Sequence, residues 1–401
     1  MFYQTQHQKK TSADKTAIGF DYQFLYFVLL LLRLKPSQRI GYEVKDDIHI
    51  ELEEKEIYIQ LKHSMKLDSE NNTKNLTDLD MDLWKTIFNW TMIINEIDIS
   101  MQNEFLNKIE FMLVTNKNNN KNKVYENINK FQTEKLNIDE FQDFLKQLCE
   151  KTKSAEIKKY ILKSLSIEKD VLGKFLNSIV IVFDEDQIIE KLEKEILSKY
   201  VDERKVGDVL KSIIGEFKVW HYDSVKKNEK RILTFEDINQ RVKKFFIEGR
   251  STNFPRTNFV ANNLPEKLES QKFIQELLEM GDVTTYDTNV ILMLTRQRLT
   301  IENRLEEWVQ NNFITESERE ILKEVSKNRW VNIHRKSHRS SITNSKPENL
   351  NNNAFACLDK IREQTLQIVQ EDLNLEEANG YYYSLSEKGV LGWKYEWREH
   401  Y

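Results

Sequence analysis

Two short stretches of the chain alternate between aliphatic and polar residues and predict a β-hairpin. Every second residue is aliphatic from Ile48 to Leu52 and again from Ile57 to Leu61. A period of two places these side chains on one face of each strand. A loop over residues 53–56 that pairs Leu52 with Ile57 puts both aliphatic sets on the same side of the hairpin.

The opposite face of this hairpin gathers polar side chains at one end. The same register sets Asp47 opposite Lys62 and His49 opposite Gln60. A carboxylate, an amide and an ammonium then converge, which is what a metal-dependent phosphodiesterase needs. Asp46 is the rival of Asp47, although a period of two sends Asp46 to the apolar face unless a bulge intervenes.

Apolar residues at helical spacing predict further helices, and two uninterrupted apolar runs predict further strands. The runs at 108–115 and 178–183 predict buried strands. Gly and Pro, which interrupt helices, number only 10 and 4. Helical spacing predicts helices within 17–34, 78–95, 124–172, 184–217, 234–246, 266–280, 289–311, 315–326 and 354–372.

The order of these elements predicts an α/β (α+β) fold, with a mixed sheet flanked by helices and a mostly helical C-terminal domain. We expect a first domain over 1–215, a helical linker over 216–265 and a second domain over 266–401. The linker includes the charged run 226–231, which is interpreted as a solvated turn. The end of the chain, 380–397, is dense in aromatic residues and glycine, so it is predicted to be a packed module.

Charge and cysteine content narrow the class of protein. A formal net charge of -5 excludes a general polyanion binder, so any DNA must bind to a local basic surface in a salt-sensitive way. Cys149 and Cys357 are far apart, which argues against a disulfide framework and a zinc site and fits a reducing cytoplasm. The longest apolar run, 24–32, is shorter than the roughly 20 residues that span a bilayer. We therefore expect a cytoplasmic protein with no membrane partner.

The polar end of the hairpin carries the residue types of a metal-dependent hydrolase. Mg²⁺, or Mn²⁺ in its place, activates a water and neutralises phosphate charge when oxygen ligands hold it. Asp47 is the favoured ligand, Gln60 offers an amide oxygen, and Glu43 completes the site or holds a second ion. Lys62 is the candidate catalytic lysine, which orients the water and stabilises negative charge. The alternative is an ordinary surface hairpin with an Asp–Lys pair worth well under about 1 kcal/mol.

Several basic residues outside this constellation are candidate DNA contacts. Lys45, His63 and Lys66 lie beside the hairpin, where solvated lysines and a histidine that caps the strand are the plainer interpretation. The strongest basic cluster is 333–340, for which DNA contact, contact with an acidic partner and a solvated loop all stay open. His334 and His338 in this cluster have no acidic third metal ligand nearby in the sequence.

Four segments follow one another in a fixed order: Gly19-Phe20-Asp21-Tyr22-Gln23, Glu43 with Asp46-Asp47-Ile48, Gln60-Leu61-Lys62-His63, and Phe111-Met112-Leu113-Val114-Thr115-Asn116. This set resembles the PD-(D/E)xK nuclease superfamily in its D…QxK variant. More narrowly, residues 1–215 resemble the endonuclease domain of the DNA-degrading Cap effectors of bacterial CBASS anti-phage systems. The resemblance implies a restriction-endonuclease-like fold and Mg²⁺-dependent cleavage of double-stranded DNA. It implies metal binding by Asp47 and Gln60 and catalysis by Lys62, and it extends to Glu43 as a further metal ligand and to Gln23 as a candidate DNA contact.

The end of the chain carries a second pattern, Tyr382-Tyr383-Ser384-Leu385-Ser386-Glu387-Lys388-Gly389-Val390-Leu391-Gly392-Trp393. It is similar to the ending of nuclease subunits of the Lamassu group of three-component defence systems, except that Lys394 stands where those proteins have His. This resemblance implies an SMC-like ATPase subunit and a small accessory subunit as partners, docked on the C-terminal domain. It also implies an effector that is restrained until it assembles into a homo-oligomer. The alternative is a non-catalytic DNA-binding adaptor of a defence ATPase complex.

Overall fold

The chain forms two compact units in the computed structural model, which describes residues 14–63, 75–119, 122–229, 231–250, 254–256, 264–339 and 347–400. The first unit takes in the described residues up to Ser198 and from Glu203 to Arg241. The second takes in Lys199 to Asp202 and the described residues from Val242 onward. The boundary therefore falls inside a helix, Phe235–Gly249, which is named α10 below.

The first unit is built on a mixed six-stranded sheet, in agreement with the predicted α/β class. Its strands are β1 Arg39–Tyr42, β2 Ile48–Glu51, β3 Glu56–Lys62, β4 Ile109–Thr115, β5 Ile179–Val182 and β6 Ile232–Thr234, in the order β5-β4-β3-β2-β1-β6. β6, β1, β2 and β3 are antiparallel neighbours, whereas β3, β4 and β5 are parallel. The strands predicted at 108–115 and 178–183 are confirmed as β4 and β5. β1 and β6 were not predicted, and β6 lies within the predicted linker.

Helices cover both faces of this sheet. They are α1 Asp14–Arg33, α2 Met81–Glu96, α3 Gln102–Lys108, α4 Lys123–Gln132, α5 Ile138–Lys151, α6 Ala155–Leu165, α7 Lys169–Ser178, α8 Ile188–Ser198 and α9 Val206–Lys226. On one face, Phe27 of α1 packs against Tyr42 of β1 and Trp220 of α9, with ring centroids 4.8 and 6.0 Å away. On the other face, Trp90 of α2 packs against Phe111 of β4 at 5.1 Å, within a large buried cluster that α2 to α7 supply.

The predicted register of the hairpin is wrong by two residues. Ile50 lies opposite Ile57 and Glu51 opposite Glu56, where Leu52 was expected to pair with Ile57. The reason is a tight turn, in which the Leu52 N–H donates to the Lys55 carbonyl at 2.8 Å and closes the loop within four residues. Because the shift is an even number of residues, every side chain keeps its predicted face.

The second unit is mostly helical, as predicted. Its elements are the C-terminal part of α10, then α11 Lys272–Met280, α12 Thr288–Gln310, α13 Glu316–Ser337, α14 Pro347–Arg362, β7 Leu366–Ile368, β8 Glu371–Leu373 and α15 Leu375–Glu387. α13 continues to Ser337, beyond the predicted end at 326. The helix expected over 354–372 ends at Arg362, and a small antiparallel hairpin of β7 and β8 follows it.

The aromatic end of the chain is packed, as predicted from its composition. The side chains of Tyr382, Tyr383 and Trp393 are buried, Tyr382 and Trp393 completely. Within the described parts of the chain, no helix has the length and apolar character needed to cross a membrane.

Candidate active site

Asp47 lies in the short connection between β1 and β2, not within a strand. Glu43, at the start of this connection, has a positive φ of 55°, and its N–H donates to the Asp47 carbonyl at 3.0 Å. The left-handed conformation turns the chain sharply as it leaves β1. The turn brings the carboxylate of Asp47 back towards the end of β3.

Three donors hold one carboxylate oxygen of Asp47. Oδ2 accepts the Leu61 N–H at 2.8 Å, the Gln23 amide N–H at 3.0 Å and a shorter hydrogen bond from the Gln60 amide N–H. The site thus joins α1, the β1–β2 connection and β3. The expectation that Asp47 lies opposite Lys62 is wrong, because the shift in register places Asp47 level with Gln60.

Lys62 nevertheless lies close to this carboxylate. Its positive charge lowers the pKa of both Asp47 and Asp46. The main influence on Asp47 is burial, which raises its pKa, and the Leu61 hydrogen bond and the Lys62 charge oppose that effect. Lys62 ends β3, and its side chain is only partly buried.

Asp46 has its own place in the site. Its Oδ2 accepts the indole N–H of Trp90 at 2.9 Å, and its Oδ1 accepts the Asp47 N–H at 2.9 Å. Burial raises the pKa of Asp46 to about 6. Asp46 does not lie on the apolar face of a strand, as a period of two predicts, because it precedes β2 in the β1–β2 connection.

Glu43 completes a group of three neighbouring acidic side chains. Burial raises the pKa of Glu43, the Asp47 charge raises it further, and the Arg231 charge lowers it. Arg231 donates to the carbonyl oxygens of Tyr42 at 3.1 Å and Glu43 at 2.6 Å. Arg231 was assigned to a solvated turn, and no local signal could have placed it here, since 188 residues separate it from Glu43.

The donor set suits a hard, oxygen-preferring cation that keeps some of its waters. Among the described residues, no three His, Cys, Asp or Glu side chains converge to form a metal site by themselves. Mg²⁺ is commonly held by one or two carboxylates, with waters and substrate oxygens as its other ligands. The buried carbonyl oxygen Oε1 of Gln23 accepts no hydrogen bond, although the amide of the same side chain contacts Asp47. An unsatisfied oxygen on the side chain that contacts Asp47 is a fitting ligand for such an ion.

Lys45, in the β1–β2 connection, and His49, in β2, are engaged away from this site. Lys45 places its ammonium 3.3 Å from Glu51 and 2.5 Å from Glu56, near the turn end of the hairpin. His49 lies on the predicted face but is completely buried and lies opposite Tyr58, not Gln60. Burial lowers the pKa of His49.

His63 lies next to Lys62 and stacks on Tyr22 of α1, with ring centroids 4.4 Å apart. The Tyr22 hydroxyl donates to the Glu185 carbonyl at 2.6 Å, which fixes the ring. Burial lowers the pKa of His63, and its Nδ1 has no hydrogen-bond partner. Lys66, the last candidate DNA contact, lies outside the described residues.

Two histidines of the basic cluster at 333–340 have a structural role in the second unit. His334 and His338 each direct Nε2 to a backbone carbonyl of the chain end, that of Lys394 and that of Trp393, both at 2.9 Å. Burial lowers the pKa of both imidazoles. The two histidines therefore bind the aromatic end of the chain.

In comparisons with known proteins, the chain matches no protein-family model, no curated protein and no solved structure.

Proposed function

We propose that this chain is a Mg²⁺-dependent endonuclease with a restriction-endonuclease-like first domain, which cleaves double-stranded DNA. The observation that carries the proposal is the contact of Asp47 with Gln60 beside Lys62, the three residues of the D…QxK pattern, with Gln23 of α1 holding the same carboxylate oxygen. The mixed sheet with helices on both faces is compatible with this fold. Carboxylates that can hold a metal ion, with a lysine beside them, are the groups that metal-assisted phosphodiester hydrolysis uses.

Each side chain then has a defined task. Asp47 and Glu43 would hold the ion, and Gln60 would join them once its amide turns so that the oxygen faces inward. The bound ion supplies an activated water and neutralises charge on the phosphate. The Leu61 and Gln23 N–H groups keep one oxygen of Asp47 fixed, and the other oxygen, Oδ1, would be the ligand of the ion. Lys62 orients the water and stabilises the negative charge that develops on phosphate oxygens.

The first prediction concerns Asp47→Ala and Lys62→Ala. Each should reduce Mg²⁺-dependent cleavage of a DNA duplex by about 100-fold or more, as expected for loss of a group that acts in the transition state. Cleavage is measured with purified protein and a plasmid or linear duplex, with Mg²⁺ and with Mn²⁺.

The matched control is Lys55→Ala, which removes the same charge from the exposed turn of the same hairpin. It should cut like the parent, and all variants should keep the parent's far-ultraviolet circular dichroism. Full activity in either site variant would show that Asp47 or Lys62 has been assigned the wrong role.

One observation favours a non-catalytic DNA-binding adaptor as the second candidate. Gln60 directs its amide N–H, and not its oxygen, to Asp47, so the two groups satisfy each other as in a structural contact. An adaptor would bind duplex DNA with parental affinity in the Asp47→Ala variant and show no cleavage in any assembly. Cleavage by the purified parent chain excludes it.

We also propose a biological setting from the likeness of the chain end to the Lamassu group. In this setting the chain is an anti-phage effector in the cytoplasm, restrained by an SMC-like ATPase and a small accessory subunit. Assembly into a homo-oligomer through the second domain activates it. Light scattering of the chain during cleavage tests this part, and a monomer mass throughout would contradict it.

A further inference from the structure

The surface beside the candidate site carries basic and aromatic side chains from two helices. We define the α1/α9 rim as Phe20 of α1, Lys218, Tyr222 and Lys226 of α9, and Lys227, which directly follows α9. Phe20 and Tyr222 are 59% and 65% exposed, which is unusual for large aromatic side chains. The lysines are exposed as well.

Contacts between α1 and α9 place this rim next to Asp47. The Lys218 ammonium lies 4.0 Å from the centroid of the Phe24 ring, and Phe24 directly follows Gln23, which donates to Asp47. Phe20 is three residues before Gln23, on the same side of α1. The rim therefore lies beside Gln23, the residue that donates a hydrogen bond to Asp47.

A second set of contacts joins the rim to Glu43. His221 of α9 packs edge-on against Tyr42, with ring centroids 4.9 Å apart, and Tyr42 directly precedes Glu43. The charges of Arg231 and Lys218 both lower the pKa of His221, so the two cations lie around this imidazole. Tyr222 is the next residue along α9 and points outward.

The pattern on α9 fits a polyanion better than an apolar partner. Lys218, Tyr222, Val225 and Lys226 recur at three- and four-residue spacing, so they share one face of the helix. Among the described residues, the acidic side chains near these lysines are Asp21, which lies 3.4 Å from Lys218 with both side chains about half exposed, and the exposed Asp223 and Glu229. Such exposed pairs open readily when a phosphate competes for the lysine.

We propose that the α1/α9 rim is the surface on which duplex DNA lies as it enters the candidate site. This inference rests on the proposed function and adds to it the residues that bind the substrate. Lys218, Lys226 and Lys227 contact backbone phosphates, whereas Phe20 and Tyr222 contact sugars and base edges. A chain with a net charge of -5 needs such a local basic surface to bind DNA at all.

The test measures binding without cleavage. All binding variants are made in the Asp47→Ala background, and fluorescence anisotropy follows a labelled 30-base-pair duplex across a salt series. The lysine triple variant K218A/K226A/K227A should lower the salt slope of binding by about 1 for each lysine removed. The F20A/Y222A variant should bind about tenfold more weakly with the parent's slope, because these rings carry no charge.

The control is K151A/K153A/K158A, which removes the same charge from exposed lysines on and between α5 and α6, on the other face of the sheet. It should keep the parent's slope. An unchanged slope in the rim lysine variant, or an equal fall in the control, overturns the inference. The inference is also overturned if the rim variants change the mass of the self-associated protein but bind DNA with the parent's affinity.

Cleavage by the otherwise unaltered chain separates this inference from the proposed function. If the parent cuts DNA and the rim variants bind DNA as the parent does, the proposed role of the rim is wrong and the proposed nuclease activity is kept. If the rim variants lose binding but the parent never cuts, the rim stands as the DNA surface of an adaptor.

Discussion

Gly41 lies directly opposite His49 on the neighbouring strand, and the imidazole occupies the place of its missing side chain. A Cβ at position 41 would lie 1.9 Å from His49 Cε1, and 2.5 and 2.8 Å from the two ring nitrogens. His49 has no exposed surface and therefore has no space into which to move. The pairing keeps β1 and β2 in register beside the candidate site.

The second prediction is that Gly41→Ala destabilises the first unit by about 1–3 kcal/mol, the usual cost of overpacking a core. Urea denaturation followed by tryptophan fluorescence measures the free energy of unfolding. Adding His49→Ala to Gly41→Ala should restore part of the loss, because it removes the ring that the new methyl group meets.

Gly215→Ala is the control for this prediction. A Cβ at Gly215 in α9 meets no atom within 4 Å, so alanine should be neutral or stabilise the helix by up to about 1 kcal/mol. Equal losses at positions 41 and 215 would contradict the packing argument.

The residues of the site show how far sequence reasoning reaches. Alternation predicted correctly that His49, Gln60 and Lys62 share a face of the hairpin, because an even shift of register preserves it, whereas Asp47 lies outside the strands. It could not show that Asp47 contacts Gln60, since the turn that sets the register depends on one backbone hydrogen bond. It also missed the contact of Asp46 with Trp90, which brings together residues 44 apart.

At the scale of elements, the last segment of the chain is held between α11 and α13. Glu276 of α11 is buried and accepts the backbone N–H groups of Trp393 at 2.6 Å and Lys394 at 2.8 Å. The carbonyls of the same two residues accept from His338 and His334 at the end of α13. Both edges of this stretch of backbone are therefore hydrogen-bonded to side chains.

The third prediction concerns the pH dependence of this contact. Burial raises the pKa of Glu276 from 4.5 to about 7. Between pH 4.5 and about 7, the Glu276 carboxyl keeps its proton in the folded unit but loses it in the unfolded chain. The free energy of unfolding therefore falls as the pH rises across this window. Glu276→Gln should remove this dependence, which amounts to about 3 kcal/mol over the window.

The measurement is the difference in unfolding free energy between parent and Glu276→Gln at pH 5 and pH 8. The difference is needed because His334 and His338, whose pKa values are lowered, contribute the opposite trend and lose stability as the pH falls below 6.5. Lys394 and Glu279 are the charged groups that act on Glu276, and both are retained in the variant. A difference that does not change with pH would contradict this account.

Helices and strands are predictable from the sequence where an apolar pattern extends over the whole element. α1, β4 and β5 follow from such patterns, whereas the three-residue strands β6, β7 and β8 are too short to have one. β6 forms because Leu233 and Ile232 pair with Ile40 and Gly41, nearly 200 residues earlier. Only the folded chain shows such a pairing.

At the scale of the whole molecule, the aromatic end is part of the core of the second unit. Gly380 lies so close to the Gln297 carbonyl of α12 that a Cβ would be 2.3 Å from the oxygen, which lets α15 pack closely against α12. Arg362 forms an ion pair with Asp282 and donates to the Tyr383 hydroxyl at 3.0 Å. The end of the chain thus ties several helices of the unit together.

The fourth prediction is that truncation after Asn379 prevents the second unit from folding. It removes Tyr382, Tyr383 and Trp393, each buried in the core, and loss of large core side chains costs several kcal/mol apiece. Limited proteolysis should degrade residues 242–379 in the truncated chain while the first unit survives as a protected fragment. A truncated chain with two protected units would show that the end is a separable docking element.

The placement of β6 has a consequence for the exchange of domains between related chains. A chimaera joined at residue 215 would carry the candidate site residues Asp47, Gln60 and Lys62 but leave behind Arg231 and β6. It would thereby uncover the edge of β1 and free the carbonyl oxygens of Tyr42 and Glu43. Recombination, in nature or in the laboratory, should therefore preserve the first unit only when the break lies after Arg241, in α10 or beyond.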